Sequence, residues 1–205
     1  MEIYVEARKT FEFLGEPGSV AMLWHQIGRV HREAGQYEQA EQAYRQALAI
    51  RVQQKNLVGE ASSLAELGNL YNQMARLEEA VIFYRQAANI DVKLQDLRHE
   101  GSTRGNLAGT LIELQRFEEA RRELHRAIER LKPYGHAAEP WRAWGVLHNL
   151  EQATGHPQAA ADARRQAIAS YLAYRRAGGA SQSEVAELYL LVMQAIQQGA
   201  TTELE

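Results

Sequence analysis

The sequence predicts an all-α solenoid of stacked helical hairpins, and three observations carry that prediction. Ala, Gln, Glu, Leu and Arg, all good helix formers, are abundant among the 205 residues, and there are only four prolines. No segment alternates apolar and polar residues with the period of two that a half-buried strand requires. The chain also repeats itself every 40 residues without an insertion. Ile27 returns as Leu67, Leu107 and Leu147, Gly28 as Gly68, Ala108 and His148, Ala40 as Ala80, Ala120 and Ala160, and Ala47 as Ala87, Ala127 and Ala167. The stretches "AYRQALAI" at 43–50 and "FYRQAANI" at 83–90 show that register in plain letters. A fixed period of this length marks a supersecondary unit that must stack on its neighbours to bury its apolar face.

Each element follows from the spacing inside the unit. Trp24, Ile27, Gly28 and His31 fall three or four residues apart and predict one face of a helix over about 21–34. Gly35 is placed to end that helix in the left-handed conformation. Tyr37, Ala40, Ala43, Tyr44, Ala47 and Ile50 continue the period on a second helix. Small residues at 28, 40 and 47 allow close backbone approach, while Trp24, Tyr37 and Tyr44 fill the space between. The tetrapeptide Tyr-Arg-Gln-Ala at 44–47 and 84–87 is thus a packing mark, with Arg and Gln facing mostly outward, rather than a site used twice.

Those residues carry a resemblance. The order Trp24–Ile27–Gly28–His31–Gly35–Tyr37–Ala40–Tyr44–Ala47 resembles the tetratricopeptide repeat (TPR). Leu64, Leu67, Gly68, Tyr71, Leu77, Ala80, Tyr84 and Ala87 repeat it, as do Leu107, Ala108, Leu111, Phe117, Ala120, Leu124 and Ala127. A fourth unit keeps Trp144, Leu147, Gly155, Ala160 and Ala167 but departs at His148, Pro157 and Arg164. The family's usual period is about 34 residues, and the longer form here is similar to the arrays of kinesin light chains, spindle-orientation adaptors and bacterial multidomain signalling proteins. The resemblance implies a right-handed α-solenoid of TPR-like helical hairpins with a C-terminal capping helix. Its expected segments are 1–20, the second helix of a truncated preceding repeat; 21–60, 61–100 and 101–140, three TPR-like repeats; 141–180, a degenerate repeat; 181–199, the capping helix; and 200–205, a disordered tail. Pro133 and Pro140 bracket an expected loop, with Pro140 at a helix start.

The open apolar face of Tyr4, Ala7 and Phe11 at the first segment suggests a piece of a longer protein, or a partner that covers that end. End-to-end self-association through this face is a second possibility.

Composition narrows the function classes. A net charge of −3 gives no basic surplus for phosphate neutralisation, so a nucleic-acid partner is not expected. The absence of cysteine removes disulfides, thiolate nucleophiles and Cys-ligated zinc. No apolar run approaches the roughly 18 residues of a membrane span, and the polar N-terminus lacks a signal-peptide core. A soluble, cytoplasmic chain with no membrane partner is expected. His25 and His31, six apart, share no helix face, and no metal-ligand or phosphate-loop spacing occurs, so neither metal, cofactor nor enzymatic activity is expected. Arg121-Arg122, Arg164-Arg165 and Arg175-Arg176 are expected on a solvated outer face laced with local ion pairs.

The resemblance places ligand recognition on a concave groove lined by the first helix of each hairpin. Its signature positions map to Met22, His25, Arg29, Arg32 and Glu33 in the first unit, and to Ser62, Ala65, Asn69, Asn72 and Gln73 in the second. Ser102, Gly105, Gly109, Ile112 and Glu113, with Asn106 adjacent, follow in the third, and Arg142, Gly145, Asn149, Gln152 and Ala153 in the fourth. Asparagine both donates to and accepts from a peptide backbone, which singles out Asn69, Asn106 and Asn149. Arg29 and Arg32 suit a carboxylate. Lysine is absent from these positions, so a chaperone-tail carboxylate clamp is not matched. The expected function is a protein–protein interaction module that binds a peptide or partner segment, as a sensor or adaptor arm. A self-assembly module and a regulatory segment of an enzyme encoded elsewhere are the alternatives.

Overall fold

The computed structural model describes residues 2–177, and the expected capping helix and tail lie outside the described residues. Nine α-helices and one 3-10 segment make up the described residues. They are α1 Glu2–Phe13, α2 Pro17–Glu33, α3 Tyr37–Gln53, α4 Leu57–Gln73, α5 Leu77–Leu94, α6 Leu97–Glu113, α7 Phe117–Leu131, the 3-10 segment Lys132–Ala138, α8 Trp141–Ala153 and α9 Pro157–Arg176. The fold class is the all-α solenoid type that the sequence predicts. The described residues divide into two compact units, with the division between Arg116 and Phe117.

In the first unit, α2 packs on α3, α4 on α5, and each hairpin on the next helix along the chain. The buried residues are those of the 40-residue register: Ile27, Ala40, Tyr44, Ala47, Leu64, Leu67, Ala80, Tyr84, Ala87 and Leu107. Complete burial of a leucine such as Leu67 is worth about 1.5–3 kcal/mol. Gly28 and Gly68 are set by packing against an aromatic ring. A Cβ on Gly28 would stand 2.7 Å from the Tyr44 ring, and one on Gly68 would stand 2.7 Å from the Tyr84 ring. Gly28 and Gly68 are therefore sockets for the tyrosines of the following helix. Arg45, Gln46, Arg85 and Gln86 are exposed, as the packing reading of the repeated tetrapeptide requires.

Helix ends recur twice per period. Gly15, Gly35, Lys55, Ala75, Gln95, Gln115 and Gly155 all adopt positive φ, between 55° and 79°. After each, the next residue's N–H reaches back five residues: Gln36 to the His31 carbonyl (2.9 Å), Arg76 to Tyr71 (2.8 Å), Asp96 to Asp91 (3.0 Å) and His156 to Glu151 (2.8 Å). This is the Schellman closure, which satisfies carbonyls that a helix end leaves orphaned. Asn56 and Asp96 then cap α4 and α6, accepting from the backbone N–H of Gly59 (2.9 Å) and His99 (3.1 Å).

Helix α2 starts at Pro17, four residues before the expected 21, because proline is well tolerated in a first turn that has no N–H partner. In the second unit, α7 packs on α8 and α8 on α9, around Leu124, Ile128, Trp141, Leu147, Leu150 and Tyr171. Two expectations need correction there. The stretch between Pro133 and Pro140 is not a plain loop but 3-10 turns interrupted at Gly135 (φ 56°). Arg121 and Arg164 do not lie on a solvated outer face. Arg164 is buried, and Arg121 crosses to the buried Glu151 on α8, with Nε–Oε1 2.6 Å and Nη2–Oε2 3.0 Å. A bidentate carboxylate on the neighbouring helix outcompetes water for a guanidinium held that close.

Candidate functional site

Polar side chains on α2, α4 and α6 meet across the first unit. Arg32 on α2 pairs with Glu66 on α4 (2.8 Å). On α4, Asn69 Oδ1 accepts from the Tyr84 hydroxyl (2.7 Å) and from Asn106 Nδ2 of α6 (3.3 Å). Asn72 Nδ2 donates to Thr110 Oγ1 (3.0 Å) and reaches Glu113 Oε1 (3.4 Å). The structure thus brings Arg32, Asn69, Asn72 and Asn106 into one polar ladder along three first helices. The oxygen of Asn69 is doubly occupied, whereas its amide donors make only a long 3.5 Å contact with Glu66. That leaves Asn69 able to donate to an incoming carbonyl.

The remaining candidates stand apart from the ladder. His25 is half-buried, edge-on to Tyr44 at 5.7 Å between ring centroids. Burial, and then the charge of Arg51, hold its imidazole below the usual histidine range. Arg29 is exposed and lies 3.8 Å from Glu33, and Gln73 is exposed on the last turn of α4. In the second unit Arg142 donates to Glu139 (2.7 Å) and lies over the Trp141 ring, while Asn149 and Gln152 are exposed on α8.

Sequence reasoning missed the groups beneath the ladder. Arg51, at the C-terminal end of α3, donates to the Gly59 carbonyl (2.9 Å) and to the buried Ser63 hydroxyl (2.7 Å). A Cβ on Gly59 would stand 2.7 Å from Arg51 Cδ, so this glycine makes room for the guanidinium. Asp91, at the same register position of α5, is only 4% exposed and accepts from Thr103 Oγ1 of α6 (3.3 Å). Burial pushes its carboxyl up to about 6, and the neighbouring charges of Asp96 and Glu100 add to that, against the Thr103 bond and His99. It opens into a cavity of about 360 Å³, lined also by Val58, Ala65, Glu66, Leu94 and His99. The signal for these groups lay in one column of the register, which reads Arg51, Asp91, Leu131, Tyr171. A slot that holds apolar residues in two repeats holds opposite charges in the other two. A larger cavity, about 610 Å³, lies in the second unit among His125, Glu129, Lys132, Trp144 and Gln166. Its wall is shared by α7, α9, the 3-10 segment and Trp144 of α8, and it includes none of the candidate groove residues.

Among the described residues no group of three His, Asp or Glu side chains is arranged to hold a metal, and no helix is long and apolar enough to cross a membrane.

Comparison with known proteins agrees with the fold. Two family models described as "Tetratricopeptide repeat" match residues 2–91 and 101–132. No curated protein matches the chain. Among solved structures, BtubC (BKLC) from P. vanneervenii is similar at TM-score 0.78 and 18% identity, over 98% of this chain and 82% of that one. The nearly identical TPR-like repeats of a putative kinesin light chain from Podosopora anserina are similar at TM-score 0.67 and 20% identity, over 91% and 90%. Aspartyl phosphate phosphatase F from Bacillus subtilis is similar at TM-score 0.80 and 14% identity, over 96% of this chain but 52% of that one. At these identities the structural likenesses establish a shared fold, and the two repeat models establish the family. The chain belongs to the tetratricopeptide repeat family.

Proposed function

We propose that the face formed by α2, α4 and α6 binds an extended peptide or partner segment, through the asparagine ladder of Asn69, Asn72 and Asn106 flanked by Arg29, Arg32 and Gln73. A protein-interaction role in the general sense comes with the repeat array itself. The observation that carries it is the half-used amide of Asn69, whose donors point to no strong acceptor while its oxygen is locked by Tyr84 and Asn106. A fixed amide with free donors suits a backbone carbonyl, the one acceptor that every peptide offers. His25, Arg142, Asn149 and Gln152 belong to the same reading as supporting positions, each within its own unit.

The test is selection of a random dodecamer library on the purified chain, followed by calorimetry of the best binder. Asn106→Ala, which removes an exposed side chain, is expected to weaken that binder at least tenfold, about 1.4 kcal/mol, with the melting temperature unchanged. Equal affinity in the variant sinks the assignment.

One observation favours a second reading. The expected open face of Tyr4, Ala7 and Phe11 is half-buried, because α1 packs on α2, but Ile3 and Phe13 at the two ends of α1 are 80% and 90% exposed, apolar side chains that a second copy would cover. Light scattering against concentration separates the two readings: a chain that stays monomeric while binding the dodecamer rules out assembly as the primary role.

A further inference from the structure

The cavity beside the ladder has an unusual combination of walls and floor. Val58, Ala61 and Ala65 of α4 and Leu94 of α5 supply apolar sides, and Asp91 lies at the buried end. The other carboxylates that line it are already engaged. Glu66 is paired with Arg32, and Asp96 is held by the backbone N–H and ring of His99. Asp91 has one neutral partner, the Thr103 hydroxyl at 3.3 Å, and no cation among the described residues pairs with it. A buried carboxylate without a counter-charge is costly to ionise, and here it faces open space of about 360 Å³.

We propose that this cavity is the specificity pocket of the peptide-binding face and takes a single lysine or arginine side chain of the ligand, its aliphatic stem on Val58, Ala61, Ala65 and Leu94 and its cationic head on Asp91. The inference rests on the peptide-binding reading above. The shape of the lining selects the ligand class. A compact metal cation needs several oxygen ligands converging on one point, whereas the free carboxylate here is single and the walls are apolar. A long amphipathic cation matches both, because lysine and arginine bury their methylenes and carry the charge at the tip. The register adds directionality. One repeat earlier the equivalent slot holds Arg51, which donates to the Gly59 carbonyl and Ser63 and has no carboxylate partner among the described residues. That charge repels a second basic side chain, so the ligand carries one anchor cation rather than a basic run.

The same dodecamer selection supplies the test. Binders from the wild-type chain are expected to share Lys or Arg at one aligned position. Asp91→Asn, nearly isosteric and free of a buried charge, is expected to fold normally by circular dichroism and to weaken the best dodecamer at least tenfold. Replacing the anchor lysine by norleucine in the dodecamer is expected to cost the wild-type chain a similar factor, with little further loss when both changes are combined. Binders with no basic position, or with an affinity that Asp91→Asn and norleucine both leave unchanged, overturn the pocket while the peptide-binding face stands. A library that yields no binder on any variant overturns both.

Discussion

Tyr44 and Tyr84 occupy one register position and differ in a single atom's company. The Tyr84 hydroxyl donates to Asn69, whereas the equivalent of Asn69 in the preceding repeat is the exposed Arg29, and the fully buried Tyr44 hydroxyl has no hydrogen-bond partner among the described residues. Burial pushes the Tyr44 phenol up to about 12 and the Tyr84 phenol further in the same direction. Removing a satisfied buried donor costs stability, whereas removing an orphan does not. Tyr44→Phe is therefore expected to be neutral or slightly stabilising, and Tyr84→Phe to cost about 1 kcal/mol in urea denaturation. Equal losses in both would contradict this account. The left-handed helix ends give a second residue-scale prediction. Ala75 and Gln115 sit at φ 57° and 58°, where Gly35 and Gly155 stand in other repeats. Ala75→Gly is expected to raise stability by a few tenths to about 1 kcal/mol, because relief of the Cβ strain outweighs glycine's added unfolded-state entropy. A lower melting temperature for Ala75→Gly would show that the strain is negligible.

At the scale of elements, hairpin meets hairpin through a pair of side chains 30 residues apart. The first junction uses Glu41, whose Oε1 accepts from the Tyr71 hydroxyl at 2.5 Å and from Arg45 at 2.8 Å. The register equivalents Val81 and Leu111 are both buried and apolar. In the second unit the equivalent pair is Arg121 and Glu151, where Arg121 holds the Glu151 carboxyl below its usual range despite burial. One slot thus accepts three different chemistries. Arg121→Val alone is expected to cost about 3 kcal/mol, since Glu151 is then buried with only the exposed His156 imidazole (3.1 Å) beside it. The double variant Arg121→Val/Glu151→Leu, which copies Val81 and Leu111, is expected to recover most of that loss in thermal denaturation. A double variant as unstable as the single one would mean that the ion pair is required for packing. The glycine sockets belong to this scale too. Gly28→Ala is expected to cost about 1–3 kcal/mol through overlap with the Tyr44 ring, and Gly28→Ala/Tyr44→Leu, the Ala108 and Leu124 combination, to recover part of it.

For the molecule as a whole, pH dependence separates two kinds of carboxylate. Glu41, Asp96 and Glu151 sit below their usual range, because hydrogen bonds and cations outweigh their burial. Their stabilisation is present above the unfolded pKa and is lost as acid protonates them. Asp91 has the opposite sign. Its folded value, about 6, lies above the ordinary 3.8, so stability is fully present below pH 3.8 and is lost as pH rises through 6. Urea denaturation of wild type and Asp91→Asn is expected to give nearly equal stabilities near pH 4. Near pH 7.5 the variant is expected to be more stable, by about 1–2 kcal/mol. A difference independent of pH would show that Asp91 does not titrate in this range.

The repeat, the helices, the buried face and the small residue at Gly28 and Gly68 were legible in the sequence, because stacking forces the same small, aromatic and aliphatic residues into the same register in every unit; that each glycine seats a tyrosine ring rather than a backbone was not. Positive φ at residue 35 was legible because glycine announces it; the same conformation at Lys55, Ala75, Gln95 and Gln115 was not, since there the closure of the helix end overrides a residue preference of only about 1 kcal/mol. The helices that carry the candidate residues were legible, but the residues' pairings were not. Sequence placed Arg32 and Asn69 on the right helices, and only the packed helices bring Glu66 to Arg32 and Tyr84 to Asn69. Arg121 and Arg164 misled because a charged residue on an amphipathic helix faces water unless a neighbour 30 residues away offers it a partner, or, for Arg164, unless the slot itself is buried. By itself the sequence determined the fold class and family, since periodicity is a local property repeated along the chain. Tertiary structure alone decided which charges are neutralised and which, like Asp91, are left to face a cavity, since that depends on what adjacent helices bring within about 3 Å.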